Sequence, residues 1–312
     1  MSHRPDPDRE EDGNTAPPST EPKQPRTVAA IPCHNEERFI GSVVLRAKGY
    51  VDLVLVVDDG SSDSTQHVAQ LAGATVIRHE SNKGKGAAIT SAFQYAREAG
   101  CSALVLLDGD GQHDPDDVPR LLRLVLNGEA DMVVGSRFLQ IKSNVPGYRV
   151  WGQQLLTFVT NLGSQAKLTD SQSGFRAFSP KAIKALSFSE EGLSVESEMQ
   201  FLAKEANLRL AEIPITVSYH DKARRSPVAH GMGVFNSVLG LVSRRLPLLF
   251  FGVPGAVMLG VGIWQGIRVL QLYEDQEVFY LGPALLTVLF GILGILSLFT
   301  GLILYTIKSY LK

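Results

Sequence analysis

The chain has 312 residues and is poor in several things at once. It holds two cysteines and two tryptophans, too few for a disulfide scaffold or a multi-cysteine metal centre. No G-x-x-x-x-G-K-[ST] loop occurs, and no G-x-G-x-x-G follows a strand-like run. A Walker-type nucleotidase and a dinucleotide dehydrogenase are therefore disfavoured. Neither sign of charge dominates: with the first 25 residues set aside, 27 basic side chains face 26 acidic ones. That balance gives no argument for a nucleic-acid partner. Charge of any sign is scarce at the C-terminal end. From Leu246 to Ile307 only Arg268, Glu274, Asp275 and Glu277 are charged, whereas the other 250 residues carry 58 of the 62 charged side chains. This distribution excludes both a wholly soluble protein and a polytopic transporter. It leaves one globular core of ordinary size joined to a short apolar part.

The first 25 residues carry six of the 16 prolines and six acids against three basic residues. Such a segment buries too little apolar surface to offset its chain entropy and is expected to be disordered. It contains no apolar h-region and is not a secretory signal. Cys33 and Cys101 sit in apolar, strand-like contexts and read as buried free thiols suited to a reducing cytosol.

Beyond the tail, apolar runs at Thr27–Ile31, Leu53–Val57, Ala74–Ile77, Ala103–Leu107 and Asp131–Val134 lack the alternation of a sheet with one wet face. They are expected to be strands covered on both sides. Between them Glu36–Lys48, Ser64–Leu71, Lys85–Ala99 and Pro115–Leu126 have helical patterning, with Asp63 and Asp114 as caps and Pro115 at a first-turn position. The β-α alternation predicts a doubly wound, mostly parallel α/β sheet. Further on, helices are expected over Val150–Asn161 and Glu196–Ala206, a polar loop at Thr169–Gly174, and a strand around Leu208–Val217.

Ligands of such sheets bind beyond the carboxyl ends of the strands, and this chain places its acids there. Asp108-x-Asp110-x-Gln112 follows the fourth run. Alternate residues past a strand end can converge two carboxylates and an amide oxygen on one hard cation, Mg2+ or Mn2+, which completes its shell with substrate phosphates. The competing reading is an acidic turn capping the next helix, a role Asp114 already fills. Asp58-Asp59-Gly60-Ser61-x-Asp63 ends the second run, where a carboxylate can accept hydrogen bonds from a base or ribose. In Asn82-Lys83-Gly84-Lys85-Gly86, Lys85 either faces a diphosphate or is a solvated first-turn lysine. Arg137, Arg149, Arg176 and Arg224-Arg225 recur in the less regular half, and guanidinium forks match phosphate oxygens, although any one of them alone reads first as a surface residue. His113 and His220 are further candidates, with loop or cap roles as the alternative.

Taken together, these residues resemble family 2 glycosyltransferases, most closely the dolichol-phosphate mannose synthase and polyprenyl-phosphate hexose synthase group. The resemblance spans Val28 to Tyr219. It rests on Ile31-Pro32-Cys33-His34-Asn35-Glu36, Val57-Asp58-Asp59-Gly60-Ser61-Ser62-Asp63, Asn82-Lys83-Gly84-Lys85-Gly86, Asp108-Gly109-Asp110-Gly111-Gln112-His113, Gly135-Ser136-Arg137 and Ser173-Gly174-Phe175-Arg176. It implies a GT-A fold, with Pro32, Asn35, Glu36, Asp59 and Lys85 joining Asp108 and Asp110 around a nucleotide sugar. It implies that Asp108, Asp110 and Gln112 hold Mg2+ or Mn2+. Arg137, Arg149, Arg176, Arg224 and Arg225 would meet an acceptor phosphate, with Asp110, Arg137 and Arg149 carrying the reaction. Glu198 matches a later family position. Family members often carry a lysine after the final Arg/Ser motif, where this chain has Arg224-Arg225-Ser226-Pro227. The Q-x-x-R-W motif of processive polysaccharide synthases is absent.

The implied activity is an inverting transfer of one hexose, glucose or mannose, from a UDP- or GDP-sugar to a dolichyl or polyprenyl phosphate. Two alternatives stand beside it. One is transfer to another lipid acceptor such as diacylglycerol or a lipid-linked glycan. The other is an inactive membrane-anchored nucleotide-sugar-binding protein.

Leu246–Ile267 and Val278–Ile307 give 22 and 30 uncharged residues, against the roughly 20 needed to span a bilayer. The expected organisation is a tail over 1–25, a catalytic domain over 26–225, an interfacial helix over 226–245 and two membrane spans over 246–307. The spans are expected at about 246–268 and 279–306. Val234, Phe235, Val238, Leu239, Leu241 and Val242 form the apolar stripe of the interfacial helix, for which a buried core helix is the alternative. Arg244, Arg245, Lys308 and Lys312 flank the spans against Arg268 in the connector. This places the catalytic domain and both termini on the cytoplasmic side of the membrane lipid. Gly262-x-x-x-Gly266 is the candidate face for a homo-oligomer through these helices.

Overall fold

In the computed structural model, residues 27–139, 147–164, 166–188, 195–217, 239–240, 243 and 246–310 are described. The expected disordered tail, His220, Arg224-Arg225, and the interfacial stripe except Leu239 lie outside them. So do Arg244, Arg245 and Lys312.

The apolar runs become strands β1 (Thr27–Cys33), β2 (Leu53–Asp58), β3 (Thr75–Arg78), β4 (Ala103–Leu106) and β5 (Met132–Ser136). They alternate with helices α1 (Ile40–Ala47), α2 (Thr65–Leu71), α3 (Lys85–Glu98) and α4 (Val118–Leu126), the last preceded by a 3-10 turn over Pro115–Asp117. Asp114 caps that turn by accepting from the Asp116 N–H at 3.1 Å, and Asp63 accepts from the Thr65 N–H at 3.0 Å, as the sequence pattern expects. Helix α5 (Gly147–Ser164), strand β6 (Arg176–Phe178), helix α6 (Pro180–Ala185), helix α7 (Val195–Glu205) and strand β7 (Leu210–Pro214) follow.

The seven strands form one sheet in the order β3-β2-β1-β4-β6-β5-β7. All neighbours are parallel except the two pairings of β6, which runs antiparallel to β4 and to β5. The period-2 geometry of a strand splits each apolar run between two faces. Val28, Leu55, Leu104 and Val134 turn toward Ala88, Ile89 and Phe93 of α3 and Met199 of α7. Ala29, Val54, Val105 and Val133 turn toward Ile40 and Val44 of α1 and Leu121 and Val125 of α4. Burying both faces explains why these runs carry no polar alternation, and each fully buried Val, Leu or Ile contributes about 1.5–3 kcal/mol. Phe93 anchors one layer, edge-on to Phe178 and Phe188 with ring centroids 4.9 Å away in each case. Cys33 and Cys101 are buried free thiols, and burial pushes both thiols above their ordinary range.

The C-terminal part forms helix α8 (Val253–Gln276), entered through a wide π turn at Leu248–Gly252, and helix α9 (Leu281–Tyr310). Helical structure runs over 29 residues in the first case and 30 in the second, long and apolar enough in each to cross a bilayer. The first helix continues past the apolar run and takes in Arg268, Glu274 and Asp275. Close approach of the two helices depends on glycine. A Cβ on Gly294 would lie 2.7 Å from the Leu259 nitrogen, and one on Gly255 would lie 2.9 Å from the Gly294 oxygen. Gly262 and Gly266 face Gly291 and Thr287 of α9, so this motif packs the two helices of the hairpin together. Ser297 donates to the Phe251 carbonyl in the π turn at 2.7 Å, a bond that ties α9 to the start of the first membrane helix.

Candidate active site

The carboxyl ends of β1, β2, β4 and β5 meet along one rim. At the end of β1, Pro32 pairs in register with Val57. Asn35 adopts a left-handed backbone (φ 58°), a conformation asparagine tolerates. Its N–H donates to Ser61 Oγ at 2.9 Å and its Oδ1 accepts from the Ser62 N–H at 2.8 Å. The Glu36 N–H donates to Thr65 Oγ1 at 2.8 Å. These bonds stitch the loop after β1 to the loop after β2.

Asp59 is buried, and its carboxylate turns onto the loop before α3. It accepts from the Lys83 N–H at 2.9 Å and the Gly84 N–H at 2.7 Å, and His79 Nδ1 lies 2.7 Å away. Asp59 thus shapes the Asn82-Lys83-Gly84-Lys85-Gly86 loop directly. That loop delivers Lys85, an exposed first-turn residue of α3 whose ammonium is engaged by two carboxylates. Its Nζ lies 2.7 Å from Asp108 Oδ1 and 2.8 Å from Glu196 Oε1. Partial desolvation opposes its charge, and the Asp108 and Glu196 carboxylates more than offset this and raise its pKa.

Asp108 and Asp110 sit just past β4 with carboxyl pKa values shifted in opposite directions. Burial alone would raise the Asp108 carboxyl, but Lys85, His113 and Arg137 hold it at about 2. Asp110 is pushed upward by burial and by the charge of Asp108, although its Oδ1 accepts from the Gln112 N–H at 3.0 Å. Two carboxylates repelling one another beside an amide side chain suit a hard divalent cation. Among the described residues no three His, Cys, Asp or Glu side chains form a complete cage, so a cation here would draw its other ligands from a substrate. His113 is buried, stacks on Phe175 at 5.1 Å, and lies with Nδ1 3.2 Å from the Asp108 N–H donor. Burial lowers its pKa against the pull of Asp108 and Asp110, and its Nδ1 accepts the Asp108 N–H, which supports the loop.

Past β5, Arg137 forms a two-pronged ion pair with Asp170, Nε to Oδ2 at 2.6 Å and Nη2 to Oδ1 at 2.8 Å. Arg149 lies within α5, and its side chain falls outside the description, as do Arg224 and Arg225. Arg176 requires a correction. Its side chain is fully buried in β6, so it cannot meet an acceptor phosphate. Its guanidinium donates to the carbonyls of Ser173 at 2.8 Å, Glu196 at 2.9 Å and Ser171 at 2.6 Å. It braces the loop before β6 against the start of α7. Burial lowers its pKa to about 10, which leaves it charged at neutral pH.

Two site residues, Glu196 and Asp170, escape the sequence patterns. Glu196 is two positions from Glu198, the residue the family resemblance suggests; Glu198 is also buried, but Glu196 is the one that reaches Lys85. Asp170 lies in a stretch that reads only as a polar loop, while Gly174 beside it belongs to the Ser173-Gly174-Phe175-Arg176 motif. A signal for Asp170 exists in retrospect: it is the only charged residue in the loop until Arg176.

A parallel sheet with an antiparallel insertion, acids at the ends of β2 and β4, and a cationic side chain past β5 define a nucleotide-sugar transferase of GT-A type. The chain belongs to glycosyl transferase family 2, whose model matches residues 28–187. It is 34% identical over 235 residues to the UDP-N-acetylglucosamine–dolichyl-phosphate N-acetylglucosaminyltransferase of Methanococcus voltae, covering 68% of this chain and 94% of that one. It is 32% identical over 228 residues to the polyprenol monophosphomannose synthase of Mycolicibacterium smegmatis, covering 67% and 83%. Glucosyl-3-phosphoglycerate synthase from Mycobacterium tuberculosis, solved with Mn2+, UDP and phosphoglyceric acid, shares the fold. Its TM-score is 0.56 at 22% identity, over 70% of this chain and 78% of that one.

Proposed function

We propose that this glycosyltransferase moves a single hexose from a nucleotide diphospho-sugar to a dolichyl or polyprenyl phosphate at the cytoplasmic face of a membrane. The observation that carries the reading is Arg137. It is a guanidinium held on the same strand-end rim as Asp108 and Asp110, in a chain that also has two helices of membrane-spanning length. The two relatives named for dolichyl-phosphate and polyprenol substrates support the same acceptor class.

The chemistry is consistent with the residues present. A lipid phosphate is anionic at neutral pH, so its oxygen can attack the anomeric carbon without a general base, inverting that centre as the nucleoside diphosphate leaves. The protein has to align two anions and offset their charge. Pro32, Asn35, Glu36 and Asp59 border the nucleoside end, and Lys85 faces the diphosphate. Arg137, with Arg149, Arg224 and Arg225, serves the acceptor phosphate. Asp108, Asp110 and Gln112 would hold Mg2+ or Mn2+, which when bound neutralises charge on the leaving diphosphate. Arg244, Arg245, Lys308 and Lys312 against Arg268 support a cytoplasmic catalytic domain.

The test is to incubate membranes containing the protein with a panel of labelled UDP- and GDP-sugars, UDP-N-acetylglucosamine included, and polyprenyl phosphate. One label is expected to enter a lipid that releases it under mild acid, and Asp110→Ala is expected to abolish that transfer. Label that reaches only diacylglycerol, a lipid-linked glycan, or no lipid at all would overturn the reading.

A further inference from the structure

The ion pair at Arg137 belongs to a larger arrangement. Asp170 is fully buried and spends both carboxylate oxygens on Arg137, taking the backbone N–H at 3.1 Å as well as the guanidinium fork. The segment that carries Asp170 is itself held from the neighbouring strand. Glu212 of β7 accepts from the Thr169 N–H at 2.8 and 2.9 Å, from the Thr169 hydroxyl at 3.0 Å and from the Asp170 N–H at 2.9 Å. Ser136, the last residue of β5, pairs its hydroxyl with that of Thr169 at 2.6 Å. Since Glu212 sits opposite Val134 in the β5–β7 ladder, the chain runs from sheet to Glu212, to Thr169-Asp170, to Arg137, with hydrogen bonds at each joint.

We propose that Asp170 is a positioning residue for acceptor recognition, with Glu212 as its support. A guanidinium is planar and presents its donors along fixed edges. An aspartate that grips the Nε–Nη2 edge sets the plane of the whole group and turns the opposite edge away from itself. Arginine side chains otherwise lose considerable rotamer entropy when they are ordered on a ligand. Holding Arg137 before the phosphate arrives removes that cost and fixes the direction from which an acceptor oxygen approaches. The inference rests on the acceptor reading given above, and goes beyond it by assigning two acids that act through Arg137 rather than on a substrate.

The experiment uses the full chain in lipid nanodiscs with polyprenyl phosphate and the nucleotide sugar selected by the labelling panel. Asp170→Asn, Asp170→Glu, Arg137→Ala and the Asp170→Asn/Arg137→Ala double variant are compared for acceptor KM, donor KM and kcat. Asp170→Asn is expected to raise the acceptor KM about tenfold while donor KM stays within about twofold, because the lost charge-assisted fork serves only one substrate. In the Arg137→Ala background the same change is expected to add less than about twofold. Asp170→Glu keeps the charge and displaces the guanidinium, and is expected to raise acceptor KM with little change in melting temperature. It therefore decides the matter if the asparagine variant does not fold. Equal rises in both KM values, or full multiplication of the two single effects, would overturn the positioning role. Wild-type enzyme that fails to glycosylate polyprenyl phosphate, or Arg137→Ala with unchanged acceptor KM, would instead overturn the acceptor reading.

Discussion

Gly174 and Asp108 stand so close that a Cβ on the glycine would lie 2.9 Å from Asp108 Oδ2 and 3.0 Å from Oδ1. The same atom would lie 3.0 Å from Lys85 Nζ. The loop before β6 thus acts as the back wall of the acid cluster. Gly174→Ala is expected to push the Asp108 carboxylate and Lys85 off their mutual contact. Nucleotide-sugar affinity should fall about tenfold, read by calorimetry, while the melting temperature barely moves, since only a flexible pair yields.

Arg176 gives the opposite signature. Removing a fully buried guanidinium strands the carbonyls of Ser171, Ser173 and Glu196, each of which then carries a desolvation penalty. Arg176→Met is expected to cost about 3 kcal/mol of stability. Arg176→Lys should recover only part of it, because an ammonium lacks the planar fork. Denaturant titration of the two variants beside wild type checks this.

A pH-dependent contribution comes from Asp131, remote from the site. Burial opposes its charge, but Arg209, with Lys181, holds its carboxyl at about 2, below its ordinary value. A group depressed in the folded state stabilises above its unfolded pKa and loses that contribution as pH falls toward the folded value. Asp131→Asn should therefore lower the unfolding midpoint at pH 7, and the gap from wild type should close between about pH 4 and pH 2. A gap that persists at pH 2 would show that the ion pair is not its source.

Within the membrane hairpin, glycines divide into two kinds. A side chain at Gly294 meets backbone atoms of α8 at 2.7 and 2.8 Å, whereas Gly260 has no neighbour within 4 Å. Backbone cannot yield as a side-chain tip can. Gly294→Val is expected to lower the melting temperature of the detergent-solubilised chain by roughly 5 °C, and Gly260→Val to leave it unchanged.

Much of this fold is legible in the sequence because burial on both faces of a sheet writes itself as uninterrupted apolar runs. Leu53–Asp58 and Ala103–Leu106 are read almost to the residue. Strand β6 is not. It is three residues long and begins with arginine, and only the tertiary cage of carbonyls explains a charged residue at a fully buried position. Helix α6 is hidden likewise, being six residues long, too short for a helical period to show. In the site, Asp108 and Asp110 are recognisable from strand position, whereas Arg137 reads only as one of several arginines in the less regular half. Partners brought in from distant segments are not recognisable: Glu196 reaches Lys85 across more than a hundred positions, and Asp170 reaches Arg137 from a loop without pattern.

The antiparallel strand β6 has one more consequence. Because it is inserted between β4 and β5, the acids past β4 and the arginine past β5 are separated by two strand intervals, about 10 Å. A parallel neighbour would have halved that distance. The sheet thus works as a gauge block between two fixed charges, and its width, unlike that of a loop, cannot be adjusted when a bulkier donor arrives.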